Sequence, residues 1–384
     1  MISTIPVLLL TGYLGSGKTT LLNRILANKR GIRFAVIVND IGEVNIDANL
    51  IQQGGVVNSK SGDLVALSNG CICCTLKMDL VEQLHEILAK HAFDYIVIEA
   101  SGICEPAPIA QTICNIPQLA PQYAVDGLPR LDSIVTVVDA LRMRDEFMDS
   151  LSAVTTDTPK DFVSKLNEDD LQSLIIQQIE FCNLILLNKA SEVSAEDLEK
   201  IKSIIRAIQP KADIIACDYC DVDLDRLLRR DFDFDTVAGS ARWIEEIEGR
   251  FGEEEEEDEG EALEYGIETF VYQARKPMNL SLFDEFVAKH FPASVIRCKG
   301  MCYFEDEKDM CYVFEQAGRQ VKLSQAGQWY ATMPKEELEP LLASDAQLRA
   351  DWDPVYGDRM QKLVFIGHNM DREAITRALN ACIL

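Results

Sequence analysis

The stretch Pro6–Thr20, PVLLLTGYLGSGKTT, decides the fold of this chain. Its apolar run Pro6–Leu10 is short and unbroken, as in a strand buried on both faces. Gly12, Gly15, Ser16, Gly17, Lys18 and Thr19 then satisfy the pattern G-x-x-x-x-G-K-[ST]. In that pattern the glycines let backbone N–H groups curl round phosphates, the lysine reaches the outer phosphates, and the Thr19 hydroxyl holds Mg2+. A helix expected from Thr19 to Lys29 would aim its positive end at the same anion. Strand, glycine loop and helix in that order imply a P-loop nucleoside triphosphate hydrolase.

The pattern continues outward from this stretch. Further β-branched runs lie at Arg33–Val38, Tyr95–Glu99, Asp132–Val138, Asn183–Asn188 and Asp213–Ala216. Helix-patterned segments separate them, at Met78–His91, Glu168–Phe181 and Ser194–Ile208. Apolar runs alternating with helices imply a doubly wound, mostly parallel sheet covered on both faces. Ser194 followed by Asp197 resembles a capping box that opens its helix.

At 384 residues the chain is long enough for two domains. A P-loop domain is expected over residues 1–240. From 241 to 265 the composition turns acidic, including Glu253–Glu259, and like charges at that density favour a solvated linker. Residues 266–384 carry strand and helix signals of their own, at Glu268–Gln273, Leu282–His290 and Lys362–Ile366, and imply a smaller α/β domain.

A formal charge of −26 argues against nucleic acid and anionic membrane as partners, because both need basic surface. No segment has the ~18 uninterrupted apolar residues of a membrane span. The opening residues lack a basic region and a cleavage site, so no signal peptide is expected. Twelve cysteines in such a chain imply reduced thiols, some of them metal ligands, and a cytoplasmic protein.

Several segments fit chemistry at the phosphate loop. Glu99 ends a buried strand, followed by Ala100-Ser101-Gly102, where an acid could orient water or hold Mg2+ through a water. Asn39-Asp40-Ile41-Gly42-Glu43 reads as a switch loop that brings the carboxylates of Asp40 and Glu43 near the phosphates. Lys18, Asp40, Glu43 and Glu99 are thus the catalytic candidates. Asn188-Lys189-Ala190-Ser191 follows a buried strand, as does the guanine-reading Asn-Lys-x-Asp of GTPases. There the aspartate accepts two hydrogen bonds from guanine, and Ser191 stands in its place. Glu192 could substitute if the loop shifts by one residue.

Asn69-Gly70-Cys71-Ile72-Cys73-Cys74-Thr75 crowds three thiols into one turn before a helix. Cys71, Cys73 and Cys74 can converge on one soft ion such as Zn2+, with a carboxylate, histidine or water as fourth ligand. Elsewhere, Cys217 and Cys220 form a CxxC that reads as packing. A two-residue hairpin turn at Asp306-Glu307 would set Cys302 opposite Cys311, and with Cys298 these could form a second metal site.

A phosphate loop followed by a C-x-C-C turn resembles the CobW-type GTPases, metal chaperones related to the urease- and hydrogenase-maturation GTPases. The resemblance covers Gly12–Thr20, Asn39–Asp47, Gly70–Thr75, Glu99–Pro106, Asn188-Lys189, Arg297–Gly300 and Gly357–Gly367. It implies Mg·GTP bound by Gly12, Gly15, Ser16, Gly17, Lys18, Thr19, Thr20, Gly102, Asn188 and Lys189. It also implies Zn2+ or Co2+ on Cys71, Cys73 and Cys74, with hydrolysis handing the ion to a client metalloprotein. A homodimer is compatible with this. The chain departs from the pattern at Ser191, at Val38, where some relatives carry an acid, and in the acidic linker, where many carry histidines. Two alternatives keep the phosphate loop: a nucleotide-switched regulatory protein with a structural zinc site, and a small-molecule kinase.

Overall fold

The computed structural model describes residues 4–38, 64–66, 77–119, 127–148, 171–228, 230, 232–244, 265–318 and 320–383. Asp40, Glu43, the cysteines at 71, 73 and 74, and the acidic run Glu253–Glu259 lie outside the described residues. The described chain falls into two compact units, one built on a seven-stranded sheet and one on a five-stranded sheet.

The chain of the seven-stranded sheet and its helices runs β1 (Thr4–Thr11), α1 (Lys18–Leu26), β2 (Phe34–Val38), β3 (Leu64–Ala66), α2 (Lys77–Ala89) and β4 (Tyr95–Glu99). It continues with α3 (Pro106–Leu119), β5 (Leu128–Asp139), α4 (Ala140–Met143), α5 (Leu171–Glu180), β6 (Leu184–Asn188), α6 (Ala195–Ile208), β7 (Asp213–Ala216) and α7 (Phe234–Ala238). The sheet order is β3-β2-β4-β1-β5-β6-β7, and every pairing is parallel. β2, β4 and β6 are buried at every position, which is why they read as continuous apolar runs. Leu21, Leu22 and Ile25 of α1 pack with Leu8, Leu10, Val97 and Val135, and each such buried side chain contributes roughly 1.5–3 kcal/mol.

Differences from the expected elements have local causes. The first helix ends at Leu26, not Lys29. Asn28 breaks the helical pattern by donating its side-chain amide to the Ile32 carbonyl and accepting from the Arg30 N–H. Helix α3 escapes a reading of the sequence because it holds Pro106, Pro108 and Pro117. The first two sit in the opening turn, where N–H groups lack helical partners anyway. Ser194 does accept from the Asp197 N–H at 3.0 Å ahead of α6.

The second unit runs β8 (Ile267–Ala274), α8 (Leu280–Lys289), β9 (Val295–Cys302), β10 (Met310–Ala317), β11 (Gln320–Gln328), α9 (Lys335–Ser344), α10 (Ala346–Ala350), β12 (Gln361–His368) and α11 (Arg372–Asn380). Its order is β11-β10-β9-β12-β8 with antiparallel pairing throughout. Phe283 and Phe286 of α8, with Ile375 and Leu379 of α11, cover Cys298, Cys302, Phe314 and Phe365. Asn279 and Asp371 cap those two helices by accepting from the N–H groups of Leu282 and Ala374.

The expected pairing of Cys302 with Cys311 is not formed. Glu305–Glu307 make a 3-10 turn instead of a two-residue hairpin turn, and Cys302 pairs with Tyr312. A shift of one residue in register sends a side chain to the opposite face. Cys311 therefore packs with Tyr303 and Trp329, while Cys298 and Cys302 enter the helix-covered core. Burial pushes all three thiols up, that of Cys311 to about 12, so they stay protonated at neutral pH. Among the described residues no group of three His, Cys, Asp or Glu could hold a metal ion, and no helix is long and apolar enough to cross a membrane.

Candidate functional site

Parallel strands place their loops on one edge, and ligands of such sheets bind beyond the strand carboxyl ends. The register aligns those ends here. Leu10 of β1 pairs with Glu99 of β4, Val38 of β2 with Glu99, and Asp139 of β5 with Asn188 of β6. Five chemistry-bearing segments therefore meet at one edge: the phosphate loop, the end of β4, Asp139, the Asn188–Ser191 turn, and the loop after β7.

The phosphate loop has the conformation that its glycines permit. Gly12, Gly15 and Gly17 have φ values of 133°, 77° and 119°, which L side chains rarely adopt. Gly12 is also needed for space, since a Cβ there would lie 2.3 Å from the Val137 carbonyl oxygen. Gly17 precedes α1 and offers no side-chain cap, so the positive end of that helix faces the loop where an anion would sit. The Ser16 hydroxyl is buried and has no hydrogen-bond partner among the described residues. Leaving such a group unmatched costs about 1–3 kcal/mol, which a bound phosphate oxygen would offset. These features fit a nucleotide phosphate chain.

Lys18 is buried and folds its Nζ back to donate to the Tyr13 carbonyl at 3.2 Å, inside the loop. Thr19 donates from Oγ1 to Glu99 Oε1 at 3.2 Å, across a sequence separation of 80. Glu99 is only 1% exposed, an expensive position for a carboxylate unless a cation joins it. Thr20 is exposed on α1, while Gly102 is buried against Leu14 and accepts from Gln178 Nε2. Beneath the loop, Thr11 and Thr136 share a hydrogen bond, and Thr136 donates on to the Gln178 carbonyl.

The Asn188 turn is tied to the phosphate loop by side chains. Asn188 donates from Nδ2 to the Ser16 carbonyl at 2.8 Å and accepts at Oδ1 from the Cys220 N–H at 2.9 Å. Lys189 adopts a left-handed φ of 59° and pairs with Asp139 at 2.5 Å. Ala190 donates to the Cys217 carbonyl, and Asp218 Oδ1 accepts from both the N–H and the hydroxyl of Ser191, at 3.0 and 2.9 Å.

Cys217 and Cys220 are buried in the core beneath this turn. The hydrogen bond from Cys220 holds the Cys217 thiol below its ordinary range, and the same bond, with burial, pushes Cys220 far up. Arg24 of α1 clasps this loop by donating to the Tyr219 carbonyl and to Asp221.

Of the candidates named from sequence, Gly12, Gly15, Ser16, Gly17, Lys18, Thr19, Glu99, Gly102, Asn188 and Lys189 are brought together at this edge. Asp139, Gln178 and Asp218 were not anticipated. Asp139 had a signal, as an acid ending a buried strand like Glu99. Gln178 had none, because a helical glutamine is ordinarily exposed. Asp218 required knowing which turn lies beside the loop after β7.

A parallel sheet with a glycine phosphate loop at the end of its central strand defines a P-loop nucleotide-binding protein. The chain belongs to the CobW/HypB/UreG family. The model of the CobW/HypB/UreG nucleotide-binding domain matches residues 6–216, and that of the cobalamin synthesis protein cobW C-terminal domain matches 267–383. Zinc-regulated GTPase metalloprotein activator 1 of Dictyostelium discoideum is 35% identical, over 99% of this chain and 80% of its own. Zinc chaperone CobW of Sinorhizobium sp is 25% identical over 99% of this chain and 97% of its own. The crystal structure of the Zn(II)-bound YjiA GTPase from E. coli is 21% identical, covers both chains fully and has a TM-score of 0.43.

Proposed function

We propose that this chain is a cytoplasmic, GTP-hydrolysing metallochaperone that carries a divalent ion, Zn2+ in the first instance, on Cys71, Cys73 and Cys74 and passes it to a client metalloprotein. The hydrogen bond between Thr19 and the buried Glu99 at an uncapped phosphate loop carries the reading of hydrolysis. Family membership and the names of the relatives support the reading of metal delivery. In this scheme the loop amides and Lys18 would hold the phosphates, and Thr19 with Glu99 would hold Mg2+. When bound, Mg2+ neutralises charge on the outer phosphate oxygens. Asp40 or Glu43 orients the attacking water.

The sheet register supports coupling between nucleotide and metal. Val38 lies beside Glu99 at the end of β2, and Ala66 at the end of β3 lies beside Val38. The segments that lead to Asp40 and to the cysteines therefore leave from the edge that carries the phosphate loop.

The delivery reading is tested by Zn2+ affinity in competition with a chromophoric chelator, in Mg·GTP-analogue and Mg·GDP states. Reciprocal coupling of about 1–3 kcal/mol is expected, roughly a 5- to 150-fold change in affinity that Cys73→Ser abolishes. Equal affinities in the two states would make the zinc structural and end the delivery reading.

Glu99→Gln tests the Mg2+ role separately. It keeps the shape and removes the charge, so turnover falls about 10- to 100-fold and half-saturation by Mg2+ moves to higher concentration. The fold should be kept, since Gln has the same shape and its carbonyl can still accept from the Thr19 hydroxyl. Unchanged Mg2+ dependence would remove Glu99 from the site.

A further inference from the structure

We infer that Asp218 reads the guanine base, from the loop after β7, in place of the aspartate that the Asn188–Ser191 turn lacks. The inference rests on the proposed use of GTP and assigns the residue that makes it selective.

Asn188-Lys189-Ala190 retains the strand-end position and the contact with the phosphate loop, through Asn188 and the Ser16 carbonyl at 2.8 Å. At the fourth position stands Ser191, whose hydroxyl is a poor substitute for a carboxylate that must accept two N–H donors at once. The missing carboxylate is supplied next to it. Asp218 Oδ1 accepts from the Ser191 hydroxyl at 2.9 Å and from its N–H at 3.0 Å. Asp218 Oδ2 has no hydrogen-bond partner among the described residues, and the side chain is only part-buried. Glu192, the other acid within reach in sequence, is exposed in the 3-10 turn, and its carboxylate bonds nothing among the described residues.

The position of Asp218 relative to the phosphates is held at three points. Ala190 donates to the Cys217 carbonyl at 3.1 Å, the Cys220 N–H donates to Asn188, and Arg24 of the phosphate-loop helix holds Tyr219 and Asp221. A carboxylate fixed in this way discriminates by chemistry. Guanine presents N1–H and the N2 amino group side by side: Oδ2 can accept one, and Oδ1 the other once the Ser191 hydroxyl rotates away while its N–H bond is kept. Adenine presents an amino group beside an acceptor nitrogen, whose lone pair would face the carboxylate. Xanthine keeps N1–H but has a carbonyl at C2, which a carboxylate repels and a carboxamide can bind.

The test measures the affinity of the full chain, with Mg2+, for GDP, ADP and xanthosine diphosphate, using fluorescent nucleotide displacement. Wild type should favour GDP over ADP by about 100-fold or more, because a site built to pair polar groups rejects an analogue that leaves them unmatched. Asp218→Asn should lose about 30-fold or more in GDP affinity and gain about tenfold for xanthosine diphosphate, as an exchanged donor and acceptor require. That gain also shows that the variant is folded.

The double variant Ser191→Asp with Asp218→Ser returns the carboxylate to the other loop and should restore GDP preference. GDP affinity of Asp218→Asn within about threefold of wild type would overturn the inference while leaving hydrolysis and metal coupling untouched. Loss of every nucleotide in Asp218→Asn, with no GDP binding by the double variant, would make Asp218 structural and overturn it too. Equal affinity of wild type for GDP and ADP would overturn it together with the guanine part of the proposed function. Phosphate release and nucleotide-dependent zinc affinity test the rest of that function independently.

Discussion

Lys18→Ala is expected to lower phosphate release from Mg·GTP by about 100- to 1000-fold. That range is what the loss of one preorganised donor to developing charge costs, roughly 2.7–4 kcal/mol. The expectation is at the upper end, because Lys18 is a charged donor held inside the loop. Its side chain is 7% exposed and its Nζ is 3.2 Å from the Tyr13 carbonyl, so water screens it little. The fold should survive. Leu21, Leu22 and Ile25 hold α1 to the sheet without the lysine. Circular dichroism and melting should therefore stay near wild type while turnover collapses. Turnover within threefold of wild type would show that the loop holds no hydrolysable phosphate.

The second large effect is on stability, in the five-stranded sheet. Gly300 of β9 pairs with Leu363 of β12, and a Cβ at that position would lie 2.0 Å from the Lys362 carbonyl oxygen and 2.9 Å from the Leu363 Cα. Both obstacles are backbone, so no side chain can swing aside. Gly300→Ala must separate two central strands locally, breaking ladder hydrogen bonds above a core of Cys298, Phe314, Leu363 and Phe365. The expected cost is about 3 kcal/mol, the upper part of the range for overpacking, and it is a large share of the 5–15 kcal/mol that holds a domain together. Differential scanning calorimetry and limited proteolysis of the full chain would show the C-terminal unit melting earlier. An unchanged melting profile would mean that the β9–β12 register is not the one described.

Both variants act where the reading of the sequence and the structure agree to different degrees. Lys18 was recognisable because the phosphate loop is a local object, formed by glycines, a lysine and a threonine in consecutive positions after a strand. Gly300 was noted only as part of a resemblance, and nothing local says that a neighbouring backbone passes within 2.0 Å of its Cβ direction. The hairpin after β9 shows the same limit. Turn chemistry at Asp306-Glu307 admits either a two-residue turn or a 3-10 turn, and the choice moves Cys311 from one face to the other. At α3 the obstacle is proline: Pro106 and Pro108 weaken the helical pattern in sequence, yet both are tolerated in the first turn.

The sequence by itself determined the class of the first unit, its strand-loop-helix start, most of its strands, and the residues proposed to face phosphate. These follow from hydrophobic periodicity and from backbone conformations that only glycine adopts freely, both of which are local. Tertiary structure alone decided which distant groups meet. Thr19 reaches Glu99 because β1 and β4 are neighbours in register, and Asn188 reaches the Ser16 carbonyl across 172 residues. Asp218 comes to stand beside Ser191 because β6 and β7 pair in parallel and end together. A hydrogen bond needs atoms within about 3 Å. Spacing along a chain says nothing about that distance until strand order and register are set.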